Sequence, residues 1–238
     1  GFDYELAFQY MKQSMDDPET TPERRRFQYR GIPDRGKKDL WKYGYIPFDG
    51  AENETVSKNL EYYLAAWSVA KVAGHLGHKE DSVRFYNLSQ SYKKIFDERV
   101  QCFRAKDKAG NFRTLDGFNP NYHTSDYTEG TPWQYLWLVP HDVNGLIEML
   151  GGKEKAEARL DSLFLASSQL NADANPDLSG LIGQYAHGNE PSHHTIYIYN
   201  YLGKPEKAQK RINEVFETMY TDKPDGVCGN EDVGQMSA

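Results

Sequence analysis

Apolar residues recur at helical spacing over most of the chain. Leu60, Tyr63, Leu64 and Trp67, followed by Val72 and Leu76, predict a long helix that Gly77 would terminate. A partner is predicted from about 81 to 96, with Phe85, Leu88, Tyr92 and Ile95 on one stripe, so that the two form a helical hairpin. The segment 3–15 reads as a helix with Leu6, Tyr10 and Met11 on one side. The period resumes in 133-WQYLWL-138 and, after Pro140, in Val143, Leu146, Ile147 and Leu150, until Gly151 and Gly152 end it. Short amphipathic helices are predicted over 153–164 and 206–219, the second through Ala208, Ile212, Val215, Phe216 and Met219. The stretch 195-TIYIYNYLG-203 begins with the alternation of a strand, but Pro191 upstream and Gly203 at its end favour a helix.

Between these segments the pattern breaks. The Pro-, Thr- and Gly-containing stretch that follows the first helix, through 31-GIPDRGKKDLWKYGYIPFDG-50, reads as a long loop, and 102–130 as polar loops with room for a short hairpin. Connections therefore alternate between short and very long. Paired helices joined in that way suit an all-α (α/α)6 toroid, in which long loops gather on one face and build a site. About seven helices are predicted, too few to close such a ring, so the chain is expected to supply only part of it. No internal repeat is legible.

Composition narrows the classes. Across 238 residues, 38% hydrophobic and 26% charged content is that of a globular domain. No apolar run approaches the ~20 residues of a membrane helix, so membrane insertion is not expected. A net charge of −7 argues against nucleic acid as a partner, since 24-RRR-26 and 36-GKK-38 are short and interleaved with acids. Cys102 and Cys228 have neither zinc nor redox spacing. The 17 Tyr, 4 Trp and 11 Phe suit stacking on sugar rings, although most are expected in the core.

Three polar loop motifs are candidates for chemistry. In 126-DYTEGTPWQY-135, Glu129 precedes an aromatic helix, where Thr128 or Glu129 as a helix cap is the plainer reading. The string 187-HGNEPSHH-194 fits no usual zinc signature, and its adjacent Asn189 and Glu190 suit a hard, oxygen-seeking cation such as calcium. The third, 229-GNED-232, offers Asn230, Glu231 and Asp232. Hydrolysis of a glycosidic bond requires two carboxyl groups, one protonated to donate to the departing oxygen and one ionised to attack or activate water. Desolvation beside Trp133 would favour a protonated Glu129, and a nearby cation would keep Glu231 or Asp232 ionised.

The runs 126-DYTEGTPWQY-135, 138-LVPHDVNGLIEMLGG-152, 183-GQYAHGNEPSHH-194 and 225-DGVCGNEDVGQMSA-238 resemble the catalytic domain of the glycoside hydrolase family 92 α-mannosidases. A looser likeness extends to 43-YGYIPFDG-50 and the hairpin after it. The resemblance implies a calcium-dependent, inverting exo-α-mannosidase acting on mannose-containing glycans, and a partial (α/α)6 toroid. The family's N-terminal β-sandwich domain and further C-terminal helices would lie outside residues 1–238. It further implies that Glu129 is the general acid and Asp232 the general base, assisted by Asn230 or Glu231. Asn189 and Glu190 would hold calcium with help from Asp232. Trp133, Tyr185, His187 and Asn230 are the expected substrate contacts. Inversion would place the carboxyl groups of Glu129 and Asp232 roughly 6.5–9.5 Å apart. Family habit implies a periplasmic, cell-surface or secreted protein.

The chain departs from the family pattern in places. Ala65 and Ala66 stand where acids are usual before Trp67, and Thr131-Pro132 stands where Asn-Ala is usual. Ala186 leaves no acid ahead of His187, so linkage preference is not assigned. Two alternatives follow: a metal-independent α/α-toroid glycoside hydrolase, and a non-catalytic glycan-binding fragment.

Overall fold

A computed structural model describes residues 1–16 and 36–229. The described chain forms two compact units, one of residues 1–16, 36–97 and 104–113 and one of residues 98–103 and 114–229. Both are helical, as expected for an all-α chain, and the strands among the described residues are two residues long. None of the described helices is long and apolar enough to cross a membrane.

The first unit contains α1 (Tyr4–Asp16), α2 (Lys37–Tyr43), α3 (Thr55–Leu76) and α4 (Lys79–Ser89), which runs on as a 3-10 turn through Gln90–Ile95. Helices α3 and α4 form the predicted hairpin. Gly77 adopts the left-handed conformation (φ 88°), and the following His78 N–H closes the helix end on Ala73 O at 2.8 Å. The buried seam of α3 differs from the expected one. Leu60 and Tyr63 are buried, but the seam continues through Ala66, Val69, Ala70 and Ala73, whereas Leu64, Trp67, Val72 and Leu76 are only partly covered. Small residues win because they admit a close neighbour: a Cβ on Gly74 would already lie 3.1 Å from Ser82 Oγ. Ala66, one of the family departures, belongs to this seam and is fully buried.

Helix α2 falls inside the stretch expected to be a loop. Leu40 is its buried anchor, and Gly44 (φ 80°) ends it by donating to Leu40 O. The following segment is tied to α3 from below. Asn59 brackets Ile46, accepting from its N–H at 2.7 Å and donating to its carbonyl at 3.2 Å, while Tyr63 Oη donates to Gly44 O at 2.7 Å. Arg104 and Asp97 form a buried ion pair at 2.6 Å, and the same guanidinium reaches Arg113 O. The short hairpin anticipated within 102–130 is present as a bridge between Lys106 and Phe112.

The second unit contains α5 (Pro132–Tyr135), α6 (Val143–Met149), α7 (Lys153–Leu165), α8 (Ile198–Tyr201) and α9 (Pro205–Met219). Gly151 and Gly152, both at positive φ, make the turn between α6 and α7. Trp137, Leu136, Leu146, Leu160, Tyr185 and Tyr199 fill the core. Each fully buried apolar side chain of this kind contributes about 1.5–3 kcal/mol. Asp161 of α7 accepts from Tyr199 Oη of α8 at 2.7 Å and from Lys207 of α9 at 2.6 Å, joining the three helices. The ambiguous stretch resolves as a 3-10 turn, Thr195–Tyr197, leading into α8. Between α7 and α8 a tight antiparallel pair, Leu181 with Ala186 and Ile182 with Tyr185, delivers the chain into His187.

Candidate active site

Glu129 occupies a turn that its own backbone resists. Its φ of 46° lies in the left-handed region, which L residues with a long side chain enter at a cost of about 1–3 kcal/mol. Surrounding side chains hold it there. Thr128 O accepts from Tyr135 Oη at 2.6 Å, Glu129 O accepts from Asn189 Nδ2 at 3.0 Å, and Gly130 O accepts from His123 Nδ1 at 2.9 Å. Three consecutive carbonyls are thus each fixed by a different side chain.

The helix that follows starts where the sequence permits proline. Thr131 is the N-cap, its Oγ1 accepting from Trp133 N, while Gln134 Oε1 accepts from Thr131 N at 2.7 Å. This capping box is worth about 1 kcal/mol. Pro132 takes the first helical position, where the missing N–H costs nothing. The cap is therefore Thr131, and neither Thr128 nor Glu129 is needed for that task. Gln134 also donates to Gln184 O, linking α5 to the turn before Tyr185.

Trp133 is buried, with Nε1 donating to Asn121 Oδ1 at 2.8 Å and the Arg159 guanidinium 4.0 Å from its ring centroid. One edge and one face of the indole are thereby engaged by protein.

The HGNE loop meets Glu129 directly. Besides the carbonyl contact, Asn189 Nδ2 lies 3.4 Å from Glu129 Oε2. The amide nitrogen is turned to Glu129, so Asn189 Oδ1 is left as an acceptor. Among the described residues, neither that oxygen nor the Glu190 carboxylate accepts a hydrogen bond. Amide and carboxylate oxygens are donor types that fit calcium, and Asn189 and Glu190 supply one of each on adjacent residues. No group of three or more His, Cys, Asp or Glu suited to a metal occurs among the described residues. Asn230, Glu231 and Asp232 lie outside them.

The approach to that last motif is described as far as Gly229. A Cβ on Gly229 (φ 79°) would lie 2.4 Å from Gly188 O, so the chain entering GNED packs backbone to backbone on the HGNE loop. Only glycine tolerates both the contact and the angle. Glu129, Asn189 and Gly229, a hundred residues apart in sequence, belong to one cluster of loops.

Tyr185 and His187 are buried at the base of this cluster. His187 Nδ1 is 2.8 Å from Tyr185 Oη and its Nε2 is 2.7 Å from Tyr220 Oη. A neutral imidazole has one N–H and one bare nitrogen, so one hydroxyl donates to the ring and the other accepts from it. Burial, with His193 adding to it, lowers the His187 pKa to about 4. Burial also raises the Tyr185 hydroxyl well above its ordinary range. The polar atoms expected to meet a sugar are engaged with one another and with Tyr220. His193 donates to His187 O at 3.0 Å, and His194, whose pKa burial also lowers, donates to Trp137 O at 2.6 Å. All three histidines of the motif thus serve the loop itself. Sequence reasoning missed His123, Tyr135 and Tyr220, whose contacts follow from tertiary placement and leave no local pattern.

The whole of residues 1–238 matches the family model described as the glycosyl hydrolase family 92 catalytic domain. Among solved structures, the chain is 38% identical to a family GH92 alpha-mannosidase from Bacteroides thetaiotaomicron in complex with mannoimidazole. All of this chain aligns with 30% of that one, at a TM-score of 0.83. It is 32% identical to a family GH92 inverting mannosidase from Bacteroides thetaiotaomicron VPI-5482, with 99% of this chain on 32% of that one and a TM-score of 0.80. It is also 26% identical to an uncharacterized secreted glycosidase of Arthroderma benhamiae, over 87% of this chain and 28% of that protein. The chain therefore spans about a third of the length of these relatives. Its fold class is the expected one, all-α and part of an (α/α)6 toroid. With the match unbroken from the first residue to the last, the chain belongs to glycosyl hydrolase family 92, within its catalytic domain.

Proposed function

We propose that this chain contributes the acid-bearing and cation-binding loops of a calcium-assisted exo-α-mannosidase that cleaves terminal mannose from glycans with inversion. The observation that carries the reading is the Asn189 amide bound to Glu129, which sets one oxygen donor of HGNE, Asn189 Oδ1, beside the candidate acid. The relatives named as an alpha-mannosidase and an inverting mannosidase support the substrate class and the stereochemistry.

In this reading Glu129 donates its proton to the departing glycosidic oxygen. Asp232, assisted by Asn230 or Glu231, takes a proton from the attacking water on the opposite face of the sugar. Asn189 Oδ1 and Glu190 hold calcium together with the Asp232 loop. Calcium held by these residues would supply Lewis-acid contact to the hydroxyls of the terminal mannose. Tyr185 and His187 shape the wall of the site, and Trp133 presents what remains of its ring surface. The family's β-sandwich domain and further helices are proposed to complete the cleft. A periplasmic, cell-surface or secreted location fits a glycan-degrading role, and the fungal relative's description as secreted agrees with it.

The test is hydrolysis of a methyl α-mannobioside, whose reducing end is blocked, by the whole protein, followed by proton NMR. The expected first product is β-mannose, with activity abolished by EDTA and restored by calcium. Initial release of α-mannose would overturn inversion, and activity that survives chelation would favour the metal-independent hydrolase. Binding without turnover would favour the glycan-binding alternative.

A further inference from the structure

We infer that Tyr135 and His123 are positioning residues for the Glu129 carboxyl, acting through the backbone on either side of it. The inference rests on Glu129 being the general acid. The peptide plane that ends in Thr128 O sets φ of Glu129, and Tyr135 Oη holds that oxygen at 2.6 Å. The plane that carries Gly130 O closes the far side of the turn, and His123 Nδ1 holds it at 2.9 Å. Between them Glu129 stays at φ 46°, an angle that a free turn would relax.

Both holders are themselves held. Asn171 clamps the backbone of His123 in both directions, its Oδ1 accepting from His123 N at 3.0 Å and its Nδ2 donating to His123 O at 3.1 Å. The bond to a carbonyl requires a proton on Nδ1, so this contact also fixes the ring's tautomer when it is neutral. Tyr135 is buried with its ring tilted against Tyr127, and Tyr127 Oη is anchored on Phe103 O at 2.7 Å. A Cβ on Gly130 would come within 2.6 Å of the Tyr135 ring, so the glycine lets the turn lie on the aromatic face. Asn189 holds the middle carbonyl but has a second proposed task at the cation. Tyr135 and His123 have polar contacts to the turn that can be removed without touching the proposed cation ligands.

An acid displaced by a fraction of an ångström matters only where the leaving group needs a proton. The experiment compares methyl α-mannoside, a poor leaving group, with 2,4-dinitrophenyl α-mannoside, an activated one, using the whole protein with calcium present. Tyr135→Phe and His123→Ala are expected to lower kcat on the methyl glycoside by about 10- to 100-fold, with KM and the activated substrate little changed. His123→Asn, which keeps an N–H donor, is expected to recover most of the loss. Equal losses on both substrates, or no loss on either, would overturn the positioning role. Glu129→Gln is run in parallel. If it fails to separate the two substrates, the acid assignment falls and takes this inference with it; if it separates them and Tyr135→Phe and His123→Ala do not, only the positioning role falls.

Discussion

Asn189 Nδ2 lies 3.0 Å from the carbonyl oxygen of Glu129 and 3.4 Å from its Oε2, so a residue expected to serve a cation also braces the candidate acid. The two tasks use different atoms of one amide. Asn189→Asp keeps oxygen for a cation but loses the N–H and sets a second carboxylate against Glu129. It is therefore expected to fall as far in kcat as Asn189→Ala, about 10- to 100-fold, with no recovery in excess calcium. Full activity of the Asp variant would mean that only the oxygen matters.

Gly229 gives a test of loop convergence that leaves every charged candidate in place. A methyl group there meets Gly188 O and forces an L residue into a left-handed angle, at a cost of about 1–2 kcal/mol. Gly229→Ala is expected to displace the GNED loop and reduce turnover at least tenfold. Its midpoint of thermal unfolding should drop by only a few degrees. Wild-type kinetics in this variant would show that GNED acts independently of HGNE.

The readable part of the site was its polarity. Asn, Glu and His crowded into glycine-flanked loops have no packing purpose that local sequence explains, and TEG and HGNE do meet. What each side chain does there was less legible. His187 was expected to meet substrate, yet it engages protein, as do His193 and His194, because a buried ring nitrogen must find a partner wherever the fold supplies one. In the fold, hydropathy ranks residues by size, so Leu64 and Trp67 outranked Ala66 and Ala70, whereas close helix packing selects the small ones. Helix α2 was hidden because Gly36 and Gly44 suggested a loop, although they bound seven helical residues. Helices α5 and α8 were legible as helices but not in extent: each has four residues, shorter than the helical segments read in 133–138 and 195–203.

The ion pair of Asp97 and Arg104 offers a check on the first unit by itself. Both side chains are almost fully buried, and Arg104 spends a second arm on Arg113 O. Removing one partner takes this attraction from a buried charge, so Asp97→Ala is expected to cost about 3–5 kcal/mol. Replacing both with Met or Leu should cost less than the single change, which a double-mutant cycle by urea unfolding would register. A single-mutant loss below about 1 kcal/mol would show that water reaches the pair.

His187 makes stability depend on pH in a definite direction. Buried between Tyr185 and Tyr220, it has a pKa of about 4, below the value near 6.5 expected in the unfolded chain. Between those values the unfolded chain binds a proton that the folded chain does not, so stability rises with pH across that window. The contribution is fully present above about pH 6.5 and is lost as the pH falls towards 4, by at most about 1.4 kcal/mol per pH unit. His194 is lowered in the same direction and adds to the slope. Thermal unfolding measured from pH 4 to pH 8 should therefore show a midpoint that climbs to about pH 6.5 and then levels. His187→Gln, which can still meet both tyrosine hydroxyls but does not titrate, should flatten part of that climb and leave the remainder to His194. An unchanged slope in the variant would mean that His187 is protonated inside the fold. Tyr185 and Tyr220 would then both accept from it, and the loop beside Glu129 would carry a buried positive charge.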